Sequence, residues 1–266
     1  MFSKKSLGQN FLKNKDSVKK IIDTLSLKDG DVIIEIGPGH GELTSELVSS
    51  GKNIKIITVE KDESLISLLQ KKFGSSIKIA TGDALVLLPK IIKKEGLNHK
   101  EFKILGNIPY YITGYLLRTL GELPKKPSVV ILTIQKEVAE RLCAKPPKMN
   151  LLAASVGLWG ETKIISYIKK SEFSPVPKVD SAIIFITIND LKKDALWKTY
   201  YSFIKTLFKQ PRKTILNNLS KTAVSKNELL EMFSDLHISK DARPQNLDIK
   251  TIREFSKMMY NKIENI

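Results

Sequence analysis

From Asp31 onward the chain alternates short runs of β-branched residues with stretches whose apolar side chains recur every three to four positions. These are the periods of strands and of amphipathic helices, so the alternation predicts βα units. The runs are Val32-Ile33-Ile34-Glu35-Ile36, Ile54 to Val59, Ile77 to Ala80, Phe102 to Leu105 and Val129 to Ile134. Five strands separated by helical stretches predict a parallel sheet, because parallel neighbours need a crossover connection. Two further runs, Lys163 to Ile168 and Ala182 to Ile188, are separated by the proline-rich Ser174-Pro175-Val176-Pro177-Lys178, which suits a hairpin better than a crossover helix. The expected fold class is therefore α/β, a Rossmann-like sheet of about seven strands with an antiparallel edge. After Asn189-Asp190 the strand signal stops, and Ala195 to Phe208, Lys226 to Phe233 and Ile249 to Ile263 read as amphipathic helices. This places a domain boundary near 190, with a first domain over 1–190 and a small helical domain over 191–266.

Composition narrows the class. A chain of 266 residues can bury a large core without covalent staples. The single cysteine, Cys143, excludes an internal disulfide, and His40, His99 and His237 lack paired ligand spacing, so no metal site is expected. No apolar run approaches the roughly 18 residues of a membrane span. The first residues carry lysines but no continuous apolar stretch of a secretory signal, so the reading is a cytoplasmic protein with no membrane partner. Charge changes the picture more. The 44 basic against 28 acidic residues leave +16, with +5 over residues 1–28 and +7 over residues 191–266. A lysine-rich genome would produce the same surplus, but the concentration in two segments favours a polyanionic partner, nucleic acid above all.

The first strand runs into Glu35-Ile36-Gly37-Pro38-Gly39-His40-Gly41-Glu42, where glycines permit positive φ and close approach of a ligand. The dinucleotide fingerprint Gly-x-Gly-x-x-Gly is not met, since Glu42 stands where its third glycine belongs. Glu60 ends the second strand, where a carboxylate can accept from both ribose hydroxyls of a nucleoside. Asp83 ends the third, where it can accept the exocyclic amine of adenine. Each could instead be only a helix N-cap. Glycines and acids at three consecutive strand ends, without a phosphate-binding Gly-x-x-x-x-Gly-Lys pattern, fit S-adenosylmethionine, an adenosine bearing a sulfonium in place of phosphate.

The fourth strand ends in Asn107-Ile108-Pro109-Tyr110. An isolated tetrapeptide of this kind is more often a plain turn. On this edge it has a chemical use. Adenine's amine is a poor nucleophile because its lone pair is delocalised into the ring. The Asn107 amide oxygen and the Ile108 carbonyl can accept its two hydrogens, Pro109 fixes the turn without a competing donor, and Tyr110 can stack on the base.

Together with Lys5-Ser6-Leu7-Gly8-Gln9-Asn10-Phe11-Leu12, Gln135-Lys136-Glu137-Val138-Ala139 and Phe173-Ser174-Pro175-Val176-Pro177-Lys178-Val179-Asp180-Ser181-Ala182, these motifs resemble the ribosomal RNA adenine N6,N6-dimethyltransferase family over essentially the whole chain. The resemblance implies a seven-stranded class I methyltransferase domain and a helical C-terminal domain that binds RNA. It implies S-adenosylmethionine contacts from Asn10, Leu12, Gly37, Gly39, Glu60, Asp83 and Asn107, and a target base held between Tyr110 and Phe173. Arg212, Lys213 and Arg243 are the expected RNA contacts. Two positions depart from the family pattern: Trp159 stands where a glutamine is usual, and Pro211 replaces one of a pair of arginines. The retained Arg243-Pro244-x-x-Leu247 favours the branch acting on small-subunit RNA, implying an enzyme that dimethylates two adjacent adenosines near the 3′ end of 16S rRNA; a monomer is expected. The alternatives are a large-subunit methyltransferase of the macrolide-resistance type and a non-catalytic RNA-binding assembly factor on the same fold.

Overall fold

A computed structural model describes residues 9–189 and 196–264. Asp190, Ala195 and the Lys5-Ser6-Leu7-Gly8 part of the N-terminal motif lie outside the described residues. The chain divides into two compact units, Met1–Glu140 with Thr162–Ile188, and Arg141–Glu161 with Asn189–Ile266.

The first unit is built on a sheet of seven strands. In chain order they are β2 (Val32–Ile36), β3 (Lys55–Glu60), β4 (Lys78–Thr81), β5 (Lys103–Asn107), β6 (Val129–Gln135), β7 (Gly160–Ile168) and β9 (Ser181–Ile188). The spatial order is β4-β3-β2-β5-β6-β9-β7. β2 through β6 pair in parallel, and β9 runs antiparallel to β6, one place in from the β7 edge. All five predicted parallel strands form. In β2 all five residues are buried, as expected of a strand covered on both faces. A two-residue ladder of β1 (Phe11–Leu12) and β8 (Phe173–Ser174) was not foreseen, because two residues carry no period.

Chain order sets where a ligand can lie. From β2 the chain steps outward to β3 and β4, then returns to place β5 on the other side of β2. The crossovers diverge at β2/β5, opening a crevice beyond the strands' carboxyl ends. Helices α1 (Lys15–Thr24), α2 (Glu42–Val48), α3 (Glu63–Phe73), α4 (Ala84–Lys94) and α5 (Thr113–Glu122) flank these strands in sequence. Ile21, Ile22, Leu43 and Leu47 form one core with Ile33, Leu105 and Ile131 of the sheet. Gly106, opposite Ile36 in the β2–β5 register, permits this close strand pairing: a Cβ there would lie 2.5 Å from the Ile36 carbonyl oxygen. Because the obstacle is backbone in a central strand, Gly106→Ala should destabilise the fold by about 1–3 kcal/mol. The expected readout is a lower urea midpoint at unchanged m-value.

The second unit has a core of Tyr200, Phe203, Ile204 and Leu207 from α8 (Leu196–Leu207), Leu229, Met232 and Phe233 from α10 (Lys226–Asp235), and Ile252, Phe255 and Met259 from α11 (Ile249–Glu264), with α9 (Ile215–Leu219) packed among them. The domain division at 190 needs one correction. Residues 141–161 join this helical unit although they precede β9. The reason is α7 (Leu151–Gly157), whose Ala153 and Ala154 pack into the helical core with Met149 and whose Ala154 carbonyl accepts the Tyr200 hydroxyl at 2.9 Å. Trp159 is buried in this stretch, and its indole N–H finds no partner among the described residues. No helix among the described residues is long and apolar enough to cross a membrane.

Candidate active site

The crevice above β2, β3, β4 and β5 is lined by the glycine loop, by Glu60 and Asp83, by Asn107 through Ile112, and by residues 9–12. Gly37, Gly39 and Gly41 all take positive φ, at 67°, 60° and 84°. For Gly39 the missing side chain matters twice, since a Cβ would lie 2.8 Å from the Phe11 ring. Phe11 thus rests on the loop and stacks on His40, with ring centres 4.0 Å apart. The N-terminal segment is pinned further by Gln9 Nε2 donating to Asp62 Oδ2 at 3.0 Å and by the β1–β8 ladder.

Glu60 ends β3 almost completely buried. Its Oε1 accepts the backbone N–H groups of Lys61 and Asp62, both at 2.8 Å, and Oε2 accepts that of Gly39 at 3.4 Å. With Oε1 doubly engaged, Oε2 is the oxygen left to meet a ligand hydroxyl. Burial raises the Glu60 pKa against the lowering effect of these N–H groups. Asp83 lines the crevice, and its Oδ1 caps α4 through the Leu85 N–H at 3.0 Å. Its Oδ2 pairs with Lys61 Nζ at 3.0 Å.

Asn107 donates its Nδ2 to the Asn10 carbonyl at 2.7 Å, which ties the strand end to the covering segment. This bond fixes the amide so that Oδ1, the acceptor, is left to the crevice. The Ile108 N–H is held by the Thr133 carbonyl at 3.1 Å, and the Pro109 carbonyl accepts the Ile112 N–H at 3.1 Å, closing the turn that presents Tyr110. The Tyr110 hydroxyl meets Ser181 Oγ at 2.9 Å, and burial raises its pKa. Sequence reasoning gave Ser181 no role; a serine opening a strand that flanks β6 is a faint signal, legible only once that pairing is known.

Phe173 requires a correction. Its side chain is only 2% exposed, pairs across the ladder with Leu12 and packs into the apolar core with Val18 and Ile21. It is not among the residues that line the crevice, whereas Tyr110 is. Leu12, equally buried, does line it, as do Asn10, Gly37 and Gly39.

The crevice is acidic although the chain is strongly basic. Glu35, Glu42, Glu60 and Asp83 line it, against Lys61 as the lone basic residue among the lining residues. Glu35 is fully buried at the base; its Oε2 accepts the Thr44 hydroxyl at 2.7 Å, Oε1 has no partner among the described residues, and burial pushes its carboxyl up to about 7. Even with Glu35 partly protonated, the carboxylates of Glu42, Glu60 and Asp83 against one lysine would repel a polyphosphate and favour a cation. An adenosine carrying a sulfonium and an ammonium group fits this donor set.

In the helical unit, Arg212, Lys213 and Arg243 are all exposed. The turn bearing the first two is stitched by Asn218, which accepts the Gln210 N–H at 2.9 Å and donates to the Gln210 carbonyl at 3.1 Å. Lys213 N–H closes on the Gln210 carbonyl at 2.9 Å, so Pro211 occupies the second position of a tight turn, where its fixed φ is favoured. Ile215 N–H bonds to the Ala242 carbonyl at 2.9 Å, which sets the Arg212 turn beside Arg243.

The seven-stranded sheet with β9 antiparallel, a glycine loop after its first parallel strand and acids after the next two define a class I methyltransferase fold. Two solved structures share it: the 23S rRNA methyltransferase ErmE, with a TM-score of 0.72 at 21% identity over 94% of this chain and 99% of that one, and a dimethyladenosine transferase from Plasmodium falciparum, with 0.78 at 24% over 95% and 98%. The chain belongs to the ribosomal RNA adenine dimethylase family, whose sequence model matches residues 2–260. Among its relatives, the ribosomal RNA small subunit methyltransferase A of Mycoplasma capricolum is 36% identical over 98% of both chains, and that of Fusobacterium nucleatum is 36% identical over 96% of this chain and 97% of its own.

Proposed function

We propose that this protein binds S-adenosylmethionine in the acidic crevice and dimethylates N6 of two adjacent adenosines near the 3′ end of 16S rRNA, acting in the cytoplasm on small-subunit RNA or a partly assembled subunit. The observation that carries the reading is Asn107, whose amide nitrogen is committed to the Asn10 carbonyl, so that its oxygen is presented beside Tyr110 at the mouth of a crevice suited to a cationic nucleoside. The small-subunit relatives support this choice of substrate. The large-subunit alternative has only a likeness of fold behind it.

When bound, the cofactor supplies an electrophilic methyl group on its sulfonium. The chain's own residues prepare the acceptor. Asn107 Oδ1 and the Ile108 carbonyl take the two N–H bonds of the adenine amine, which draws its lone pair out of conjugation and aims it at the methyl group. Tyr110, its hydroxyl held by Ser181, offers a π face near the positive charge that develops on the nitrogen. No strong base is needed, because the alkylated nitrogen is acidic and sheds its proton to water. Glu60 Oε2 would hold the ribose and Asp83 the adenine amine of the cofactor, and Gly37 and Gly39 would let it approach the backbone of the loop. An extruded adenine looks alike from any sequence, so target choice falls to RNA contacts outside the crevice, Arg212, Lys213 and Arg243 among them.

Incubation of each ribosomal subunit with labelled cofactor, followed by nucleoside mass spectrometry, tests the reading. Label is expected in dimethyladenosine of the small subunit; label confined to the large subunit, or to monomethyladenosine at completion, overturns it. Glu60→Ala should weaken cofactor binding by about 1.5–3 kcal/mol, roughly ten- to a hundredfold, for loss of a charged acceptor. The acceptor is the carboxylate, and burial raises its pKa, so affinity should fall on acidification from a higher pH than an ordinary glutamate would give. Calorimetry from pH 8 to pH 5 reads both effects.

A further inference from the structure

The carboxyl end of β6 and the start of β9 meet at Gln135 and Ser181, directly beside Tyr110, and the surface beyond them carries side chains that the site above does not use. A chain of contacts leads outward. Ser181, which holds the Tyr110 hydroxyl, follows Asp180, whose carbonyl accepts the backbone N–H of Lys136 at 2.9 Å. The Lys136 ammonium lies 5.1 Å from the centre of the Tyr167 ring. That ring is 53% exposed, and its hydroxyl reaches Glu140 at 3.3 Å. Past it, Lys169, Lys170 and Lys178 are exposed, with the Lys170 N–H held by Asp180 Oδ1 at 2.9 Å.

An exposed lysine over an exposed tyrosine contributes only about 0.5–1 kcal/mol to stability, so the pair does little for the fold. An aromatic face with a cation beside it is, however, what single-stranded nucleic acid binds: the ring takes a base and the ammonium a phosphate. The position matters as much as the composition. An adenosine drawn out of its stack to lie on Tyr110 leaves its neighbour without a stacking partner, and the Ser181–Asp180 rim is surface directly beside Tyr110. Of the acids beside this path, Glu140, Asp180 and Glu172 are already engaged by the Tyr167 hydroxyl, the Lys170 N–H and the Lys169 N–H, and Glu137 is exposed next to Lys136.

We infer that Lys136 and Tyr167 form an RNA step next to the base pocket, in which Tyr167 stacks the nucleotide adjoining the target adenosine and Lys136 contacts its phosphate, with Lys169, Lys170 and Lys178 following the strand beyond. The inference rests on the reading that an adenosine of single-stranded RNA enters the crevice at Tyr110. Its test is fluorescence anisotropy of the full chain with a labelled RNA hairpin whose loop carries two adjacent adenosines. Tyr167→Leu should weaken binding roughly tenfold, the loss of one stacked base. Tyr167→Phe, which keeps the ring, should bind as the unmodified chain does. Lys136→Ala should lower the slope of log affinity against log salt by about 0.7, one phosphate contact to a single strand. Cofactor affinity should be unchanged in all three. Equal RNA affinity and equal salt slope in Tyr167→Leu, Lys136→Ala and the unmodified chain overturn the step. If Tyr167→Leu does not fold, the exposed Lys136→Ala decides alone. Methyl transfer by the unmodified chain reads the proposed function separately: no transfer, with RNA affinity still lost in the variants, defeats that reading and leaves the step standing.

Discussion

Asn107→Ala is expected to cut methyl transfer by roughly a hundredfold or more at saturating cofactor, the scale seen when one preorganised polar group is removed from a transition state. The group lost is Oδ1, whose bond to the adenine amine strengthens as the nitrogen becomes cationic, so the effect falls on turnover rather than on RNA binding. The same substitution removes the Nδ2 bond to the Asn10 carbonyl that pins the covering segment. That is one neutral hydrogen bond, about 0.5–1.5 kcal/mol, so cofactor affinity should drop by no more than about tenfold. Asn107 sits half-buried at the end of β5, so the loss of stability read from the urea midpoint should not exceed the about 0.5–1.5 kcal/mol of that hydrogen bond. Single-turnover transfer combined with calorimetry separates these effects. A near-normal transfer rate would take Asn107 away from the amine and leave it a positioning residue for the N-terminal segment.

Much of this was legible because strands buried on both faces announce themselves. Val32 to Ile36 and Val129 to Ile134 have almost no polar residue to confuse the period, and the chemistry hangs on their ends, so placing the strands placed Glu60, Asp83 and Asn107 on one edge. What escaped the sequence was decided by contacts distant in the chain. β1 and β8 are two residues each and exist only because Leu12 and Phe173 find each other across 161 positions of sequence. That pairing turns the Phe173 side chain into the core, which no local pattern could reveal: an aromatic before a proline turn reads the same whether it faces a base or a cluster of isoleucines. Residues 141–161 present a similar case. Ala153 and Ala154 give a weak amphipathic signal, yet small side chains are what let α7 lie close against Tyr200. Asp83 shows the opposite situation: the helix cap that its position offers does form, and the same residue also lines the crevice.

Glu35 should make the stability of the unliganded protein fall as pH rises through the neutral range, an unusual direction for a carboxylate. Burial lifts its pKa from 4.5 to about 7, with the charges of Glu42 and Glu60 adding to the rise and the Thr44 hydroxyl opposing it. Between those values the folded state holds a proton that the unfolded chain has released. Stability is therefore greatest below pH 4.5 as far as this group is concerned, declines across the window and levels off above about 7. The full span amounts to roughly 3 kcal/mol. Glu35→Gln removes the titration while its amide oxygen can still accept the Thr44 hydroxyl, and the new N–H bonds take the place of Oε1, which has no partner among the described residues. The variant should match the wild type near pH 5 and exceed it at pH 8 by an amount approaching that span. Glu42 and Glu60 are also raised by burial, but both remain in the two proteins and largely cancel in the difference. Urea unfolding from pH 5 to pH 8 measures it directly. Parallel curves for the two proteins would show that Glu35 is charged throughout, and that the base of the crevice is far better solvated than its burial implies.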